Sequence, residues 1–259
     1  MQPKKNFQFV DTDLLLLRDT YELRLASIDH LAALSERSYK RTADRLAALA
    51  SNGYLKCVTR RPQKLAYGIG HAGIALLVEH GHAPREVVDR RLRQHELKEL
   101  GIRHALFVAG IHARILQLTR PNFFMLSTWV EGPALWDRVT TSSNITLPIR
   151  PDALFTMAWP AGNRKAHFFL VADRGTMAHS RMRDKVTGYA AYFQQQRHVK
   201  KYPGMKSFRV VTVTESRGRA DSLAAEFRSM MPAAWVAAYP VIAFEDLTIT
   251  ALLPELVKV

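Results

Sequence analysis

Cysteine is almost absent from this sequence: Cys57 is the only one in 259 residues. That excludes an internal disulfide and any thiolate-rich metal site. The thiol sits in a short alternating run and reads as a small packed residue rather than a nucleophile. Acidic residues are scarce as well. Only 23 Asp and Glu stand against 37 Lys and Arg, a formal charge of +14. The resulting pI of about 10.2 suits a polyanionic partner, most simply nucleic acid. Long apolar runs are missing too. The leucines at 14–17 are cut off by Arg18, and nothing approaches a membrane span. Met1-Gln2-Pro3-Lys4-Lys5 is followed by no signal-type apolar core, so the cytoplasm is expected, with no membrane partner. Repeats and low-complexity tracts are lacking. Core-forming residues are plentiful: 47% of the chain is hydrophobic and 23% charged, enough to fold as one large domain or two ordinary ones.

Residues 28–70 read as a winged helix-turn-helix. Ser27-Ile28-Asp29-His30-Leu31-Ala32-Ala33-Leu34 predicts a short helix and Ser35-Glu36-Arg37 a polar turn. Residues 38–49 predict a second helix, closed by Asn52-Gly53, which tolerates the left-handed conformation a helix end favours. Alternating runs at 54–59 and 65–69 predict a hairpin with the basic tip Arg60-Arg61-Pro62-Gln63-Lys64. On the second helix Ala43, Leu46, Leu49 and Ala50 recur at helical spacing and should face inward. Ser38, Tyr39, Lys40, Arg41 and Arg45 are left outward or at the N-terminal end, where a recognition helix meets base edges. Arg and Lys pair with guanine acceptors or phosphate, and Ser and Tyr hydroxyls with either. Arg60, Arg61 and Lys64 suit a phosphate track or a minor groove. A helical hairpin with a merely solvated charged face would carry the same pattern, and winged domains also serve as protein-docking modules.

Around this segment, residues 14–25 predict a leading helix with Asp11 and Thr12 as caps, and residues 71–79 a further helix. The domain organisation reads as 1–84 for the winged domain, 85–94 for a basic linker helix and 95–259 for a mixed α/β domain. Residues 95–118 predict one or two helices. Strands are expected at 123–130, 153–159, 167–172 and 208–213, helices at 182–197 and 219–231, and a last strand at 241–249. The fold class is therefore α+β, with a mixed sheet covered by helices in the second part.

The second part carries one chemical constellation. Pro151-Asp152 opens a strand, and Phe168-Phe169-Leu170-Val171-Ala172 ends at Asp173-Arg174-Gly175-Thr176. A helix with Lys185, Tyr189 and Tyr192 about one turn apart follows. That is the layout of a PD-(D/E)xK nuclease core, whose carboxylates hold a divalent metal that activates water beside a scissile phosphate. Asp152, Asp173, Glu131 and Lys185 are the candidate members. The bland alternative has Asp152 capping a turn and Asp173 paired with Arg174.

Other candidates say less. His80-Gly81-His82 reads as a surface turn rather than a metal site, since its histidines share no helical face. His95 and His104 read as packed or solvated helix residues, and Trp129 and Trp136 as core or interface anchors. Gly68-Ile69-Gly70 lacks the context of a nucleotide loop, and Ser180 and Ser216 have no catalytic partners in view.

The helix-turn-helix, Trp129-Val130-Glu131, Arg150-Pro151-Asp152-Ala153, Phe168-Phe169-Leu170, Asp173-Arg174-Gly175-Thr176-Met177 and Lys185-Val186-Thr187-Gly188-Tyr189 follow one another in an order that resembles the replication-relaxation family. The resemblance spans residues 12–230. It implies an accessory factor of a mobile element, associated with plasmid replication, DNA relaxation or conjugative mobilisation. The family pattern reads Phe-Leu-Glu-x-Asp-Arg-Gly-Thr, and here its Glu position is Val171. A valine cannot bind a hard cation.

The expectation is a non-enzymatic, sequence-specific binder of double-stranded DNA, without cofactor or metal. Homodimerisation would match inverted half-sites. The enzyme-class rival is a magnesium-dependent endonuclease or nickase using the second domain. The interaction-class rival is a docking factor for a relaxase or a replication protein.

Overall fold

Leucines at helical spacing shape the first part of the chain. The computed structural model describes residues 7–59, 64–84, 99–119, 124–159 and 164–254. It divides into two compact units, Met1–Gln117 and Leu118–Val259. The linker helix expected at 85–94 lies outside the described residues, as do His95 and the hairpin-tip residues Arg60 and Arg61. The helix Glu99–Thr119 begins inside the region expected to open the second domain, yet most of it groups with the first unit.

The first unit has helices α1 (Asp11–Leu23), α2 (Ile28–Ser35), α3 (Tyr39–Ser51), α4 (His71–Glu79) and α5 (Glu99–Thr119). Strands β1 (Ala26–Ser27), β2 (Leu55–Cys57) and β3 (Ala66–Ile69) form an antiparallel sheet in the order β1-β3-β2. Leu16, Leu17, Leu31, Leu46, Leu49, Leu55 and Ile69 share one buried cluster, with Ala43 and Ala50 half-buried at its margin. This is the inward face that the spacing predicts.

Local caps set the helix boundaries. Helix α1 begins earlier than expected, and its cap is neither Asp11 nor Thr12. The Val10 N–H donates to the Asp13 carboxylate at 2.9 Å. Ser27 caps α2 reciprocally with His30: the His30 N–H donates to Ser27 Oγ, and the Ser27 N–H to His30 Nδ1, both at 3.3 Å. This is a capping box with an imidazole where Glu or Gln is usual. Helix α2 ends at Glu36 in the left-handed region, φ 55°. Ser38 then caps α3 by accepting from the Arg41 N–H at 3.4 Å.

The hairpin is closed by buried Thr59, whose Oγ1 donates to the Lys64 carbonyl at 2.7 Å and accepts from the Ala66 N–H at 2.8 Å. Gly70 and Gly73 let α4 approach the Gly53–Tyr54 backbone. A Cβ at Gly73 would lie 2.1 Å from the Tyr54 carbonyl oxygen, so these glycines serve packing. Cys57 departs from expectation, because it is exposed on β2. The edge position of β2 leaves its side chain uncovered.

The second unit is built on a five-stranded mixed sheet of β4 (Met125–Glu131), β7 (Ala153–Ala158), β8 (Lys165–Asp173), β9 (Arg209–Thr214) and β10 (Val241–Ala243), in the order β10-β9-β8-β7-β4. Strands β8, β9 and β10 run parallel, while β4, β7 and β8 are antiparallel. Helix α6 (His179–Gln194) connects β8 to β9, with the short α7 (Arg197–Lys201) after it. Helix α8 (Arg217–Met230) and the short α9 (Ala233–Val236) connect β9 to β10. Phe169, Val171 and Leu154 form one buried cluster with Met182, Val186, Tyr189, Leu223 and Phe227 of α6 and α8.

A hairpin absent from the sequence reading, β5 (Asp137–Thr140) and β6 (Thr146–Ile149), packs on α6. Gly188 makes room for it, since a Cβ there would already lie 3.3 Å from Ile149 Cδ1. The last expected strand is cut to Val241–Ala243. A 3-10 turn at Phe244–Asp246 stands where the strand was expected to continue, and Thr248 then caps a short helix α10 (Ile249–Leu252). The described chain is thus α+β, as expected, and none of its helices is long and apolar enough to cross a membrane.

Candidate functional site

Two groups of residues carry the candidate chemistry, one in each unit. In the first unit, the amphipathic spacing of α3 buries Thr42, Leu46 and Leu49. Its opposite face and first turn are solvent-facing. Ser38, Tyr39, Lys40 and Arg41 are all exposed, and Tyr39 shows 53% of its surface. Neither Lys40 nor Arg41 meets a carboxylate among the described residues. The N-terminus of α3 adds its partial positive charge to theirs.

Arg45, expected on the outer face, is committed elsewhere. Its Nε donates to Asp13 Oδ1 at 2.6 Å, a second guanidinium nitrogen also pairs with Asp13, and that nitrogen donates to the Gln8 carbonyl at 2.7 Å. Asp13 is fully buried, so Arg45 neutralises a core charge. Phe7 lies against the same guanidinium, at 4.9 Å. Lys64, at the base of the hairpin, reaches Asp29 at 2.5 Å across an exposed surface. Arg60 and Arg61 lie outside the described residues.

His30 carries the clearest titration shift of this unit. Burial pushes its imidazole down to about 4, against a raising influence of Asp29 and a further lowering by Lys64. The neutral ring is what the cap requires, because Nδ1 accepts the Ser27 N–H.

In the second unit, strand alternation places Phe169, Val171 and Asp173 on one face of β8. Val171 lies in the apolar cluster, 1% exposed. Asp173, also 1% exposed, receives Arg219 Nε of α8 on Oδ2 at 2.7 Å and the Gly175 N–H on Oδ1 at 3.2 Å. Arg219 donates further to the Met177 carbonyl at 2.6 Å. The expected pair with Arg174 does not form. Arg174 instead reaches Glu215 at 2.9 Å. Arg174 lies just past the end of β8, and its guanidinium turns to Glu215 while Arg219 takes the Asp173 carboxylate.

Asp152 stands just before β7, and its Oδ2 accepts the Ala172 N–H at 2.7 Å. Glu131, at the end of β4, accepts the Trp129 indole N–H at 2.7 Å. Lys185 is half-buried on α6. Tyr189 is fully buried, with no hydrogen-bond partner at its hydroxyl, and burial first and Asp152 second raise its ionisation well above the ordinary range. Among the described residues, no group of three or more His, Cys, Asp and Glu side chains is arranged to hold a metal ion.

The lesser candidates take structural places. His80 is exposed, with Nδ1 2.9 Å from the Leu76 carbonyl, in a turn formed by Gly81 at φ 71°. His104 lies on α5, in the first unit. Trp129 stacks on Phe155 at 5.4 Å, and Arg150 lies over exposed Trp136 at 4.9 Å. Ser216 caps α8 by accepting from the Arg219 N–H at 3.4 Å, and Ser180 is an exposed residue of α6. The sequence reading missed Arg219, which lies 46 residues from Asp173.

Residues 17–207 match the family described as replication-relaxation. The match covers well over half of the chain, and the protein belongs to this family. No curated protein and no solved structure matches it.

Proposed function

We propose that the protein is a sequence-specific double-stranded DNA-binding accessory factor of a plasmid or other mobile element, acting in replication, DNA relaxation or mobilisation. In this reading the first unit is a winged helix-turn-helix, with α3 as its recognition helix and the β2–β3 hairpin as its wing. The observation that carries it is the first turn of α3. Tyr39, Lys40 and Arg41 project together into solvent, two of them cationic and without a carboxylate partner among the described residues, on a helix whose other face is anchored by Leu46 and Leu49. A recognition helix offers the same part of itself to base edges. The family membership and the charge of +14 agree with this role.

The second unit acts in this reading without catalysis, as a nuclease-like scaffold. Its acids have other partners: Asp173 holds Arg219, Asp152 holds a strand amide, and Val171 fills the core. Metal-assisted hydrolysis needs oxygen ligands facing one ion. The test has two arms. Replacing Lys40 and Arg41 by Ala should cost about 1–3 kcal/mol of specific binding in a quantitative shift assay on the element's own DNA. Unchanged affinity would move the interface off α3. Incubation with supercoiled DNA and magnesium or manganese should give no nicking. Nicking abolished by Asp152→Ala would make the protein an endonuclease.

A further inference from the structure

A second basic surface lies in the second unit, at the end of the sheet away from Asp173. There a cleft of about 900 Å³ opens beside the starts of the parallel strands β8 and β9. Lys165 and Arg209 stand at those starts, Arg164 and Lys206 beside them, and half-buried Trp159, just after β7, lines the cleft. Ala234, Ala237 and Ala238 line it as well, short side chains that leave room for a ligand. None of the described residues lining the cleft is acidic. Among the described residues, Arg164, Lys165 and Lys206 are exposed and meet no carboxylate. Arg164 lies over the Trp159 indole at 5.0 Å, and Arg209 over the Phe168 ring at 5.8 Å.

Like charges held together around a concavity repel one another, and an anion relieves that repulsion. We propose that this cleft binds the phosphodiester backbone of a single DNA strand, with Lys165, Lys206 and Arg164 on the phosphates and Trp159 against a base. Cations along a groove with an aromatic ring are the usual means of holding single strands, since every base has a face to stack. A duplex keeps its bases paired and cannot present one to the indole. The proposal is independent of the reading of α3, and each can fail alone.

The experiment measures fluorescence anisotropy of a short labelled single-stranded DNA, and of the same sequence as a duplex, with the full chain. Lys165→Ala combined with Lys206→Ala should weaken single-strand binding about tenfold and lower its salt slope by about 0.7 for each lost contact. Duplex binding should be nearly unchanged. Lys40→Ala combined with Arg41→Ala should do the reverse. Both lysines are exposed, so an unaltered thermal unfolding curve will show that the fold is intact. Single-strand affinity that survives the cleft variant overturns the proposal. So does an equal loss for single strand and duplex, which would mark a general polyanion surface. Stronger binding of an RNA strand of the same sequence would reassign the ligand.

Discussion

The two candidate sites treat charge in opposite ways. In the first, a buried acid is neutralised by one arginine, Asp13 by Arg45, while the cations of the adjoining helix turn stand in solvent. In the second, the carboxylates of the nuclease-like constellation are the groups held in place. Asp173 is buried against Arg219, and Asp152 bridges into the β7–β8 ladder. A charge awaiting a partner remains solvated and available. A charge already satisfied by the fold cannot be recruited elsewhere without leaving its buried partner uncompensated, which is costly. The contrast separates a surface able to bind from a cluster that has become architecture.

The sharpest way to break this comparison is to remove Arg219. Its partner is 1% exposed, so Arg219→Ala leaves a carboxylate buried without its cation. Such losses cost about 3–5 kcal/mol. Chemical denaturation of the full chain should show a loss near the lower end, because the Gly175 N–H still holds one oxygen. Asp173→Asn combined with Arg219→Ala should recover part of it. A negligible effect of Arg219→Ala would mean that Asp173 is not architectural and would return it to the list of reactive acids.

Much of this arrangement was legible in the sequence. Leucine spacing gave the inner face of α3, and helix α4 occupies the residues the pattern predicts. Strands β7 and β8 are found where alternation and aromatic content put them. Other features had no local signal. The Arg219–Asp173 and Arg45–Asp13 pairs join residues 46 and 32 apart, and amphipathic spacing ranks an arginine as outward whatever waits across the fold. The β5–β6 hairpin did leave a trace, the Ser142-Ser143-Asn144 turn with Asn144 at φ 59°. Pro148 argues against a strand on sequence grounds, and this strand tolerates it because the hairpin stands outside the main sheet. At the site itself, Val171 was readable as a missing ligand. That it fills an apolar cluster was not.

A smaller effect sharpens the comparison through pH. The His30 imidazole titrates near 4 in the fold and near its ordinary 6.5 when unfolded. Between those values the unfolded chain binds a proton that the folded chain does not. Stability is therefore full above 6.5 and falls as the pH drops towards 4, by about 2 kcal/mol for a half-buried ring. Denaturant unfolding followed by circular dichroism should show this loss. His30→Gln should flatten it, because the amide oxygen can accept the Ser27 N–H at any pH. Equal acid sensitivity in His30→Gln would place the titrating group elsewhere.

The smallest expected effect on stability tests whether capping and recognition are separable at the first turn of α3. Ser38 was a candidate DNA contact, and in the fold its Oγ accepts the Arg41 N–H. Ser38→Ala should cost about 1 kcal/mol, the usual value of a lost cap. Ser38→Asp keeps an acceptor at the same place and suits the positive end of the helix, so the fold should keep its stability within about 0.5 kcal/mol. The same carboxylate would stand within one turn of Lys40 and Arg41 and repel an approaching phosphate. If α3 meets DNA, Ser38→Asp should weaken duplex binding several-fold while unfolding stays unchanged, and Ser38→Ala should show the opposite balance. If both variants bind like the parent, the turn is only a helix start, and its exposed cations are an ordinary solvated face.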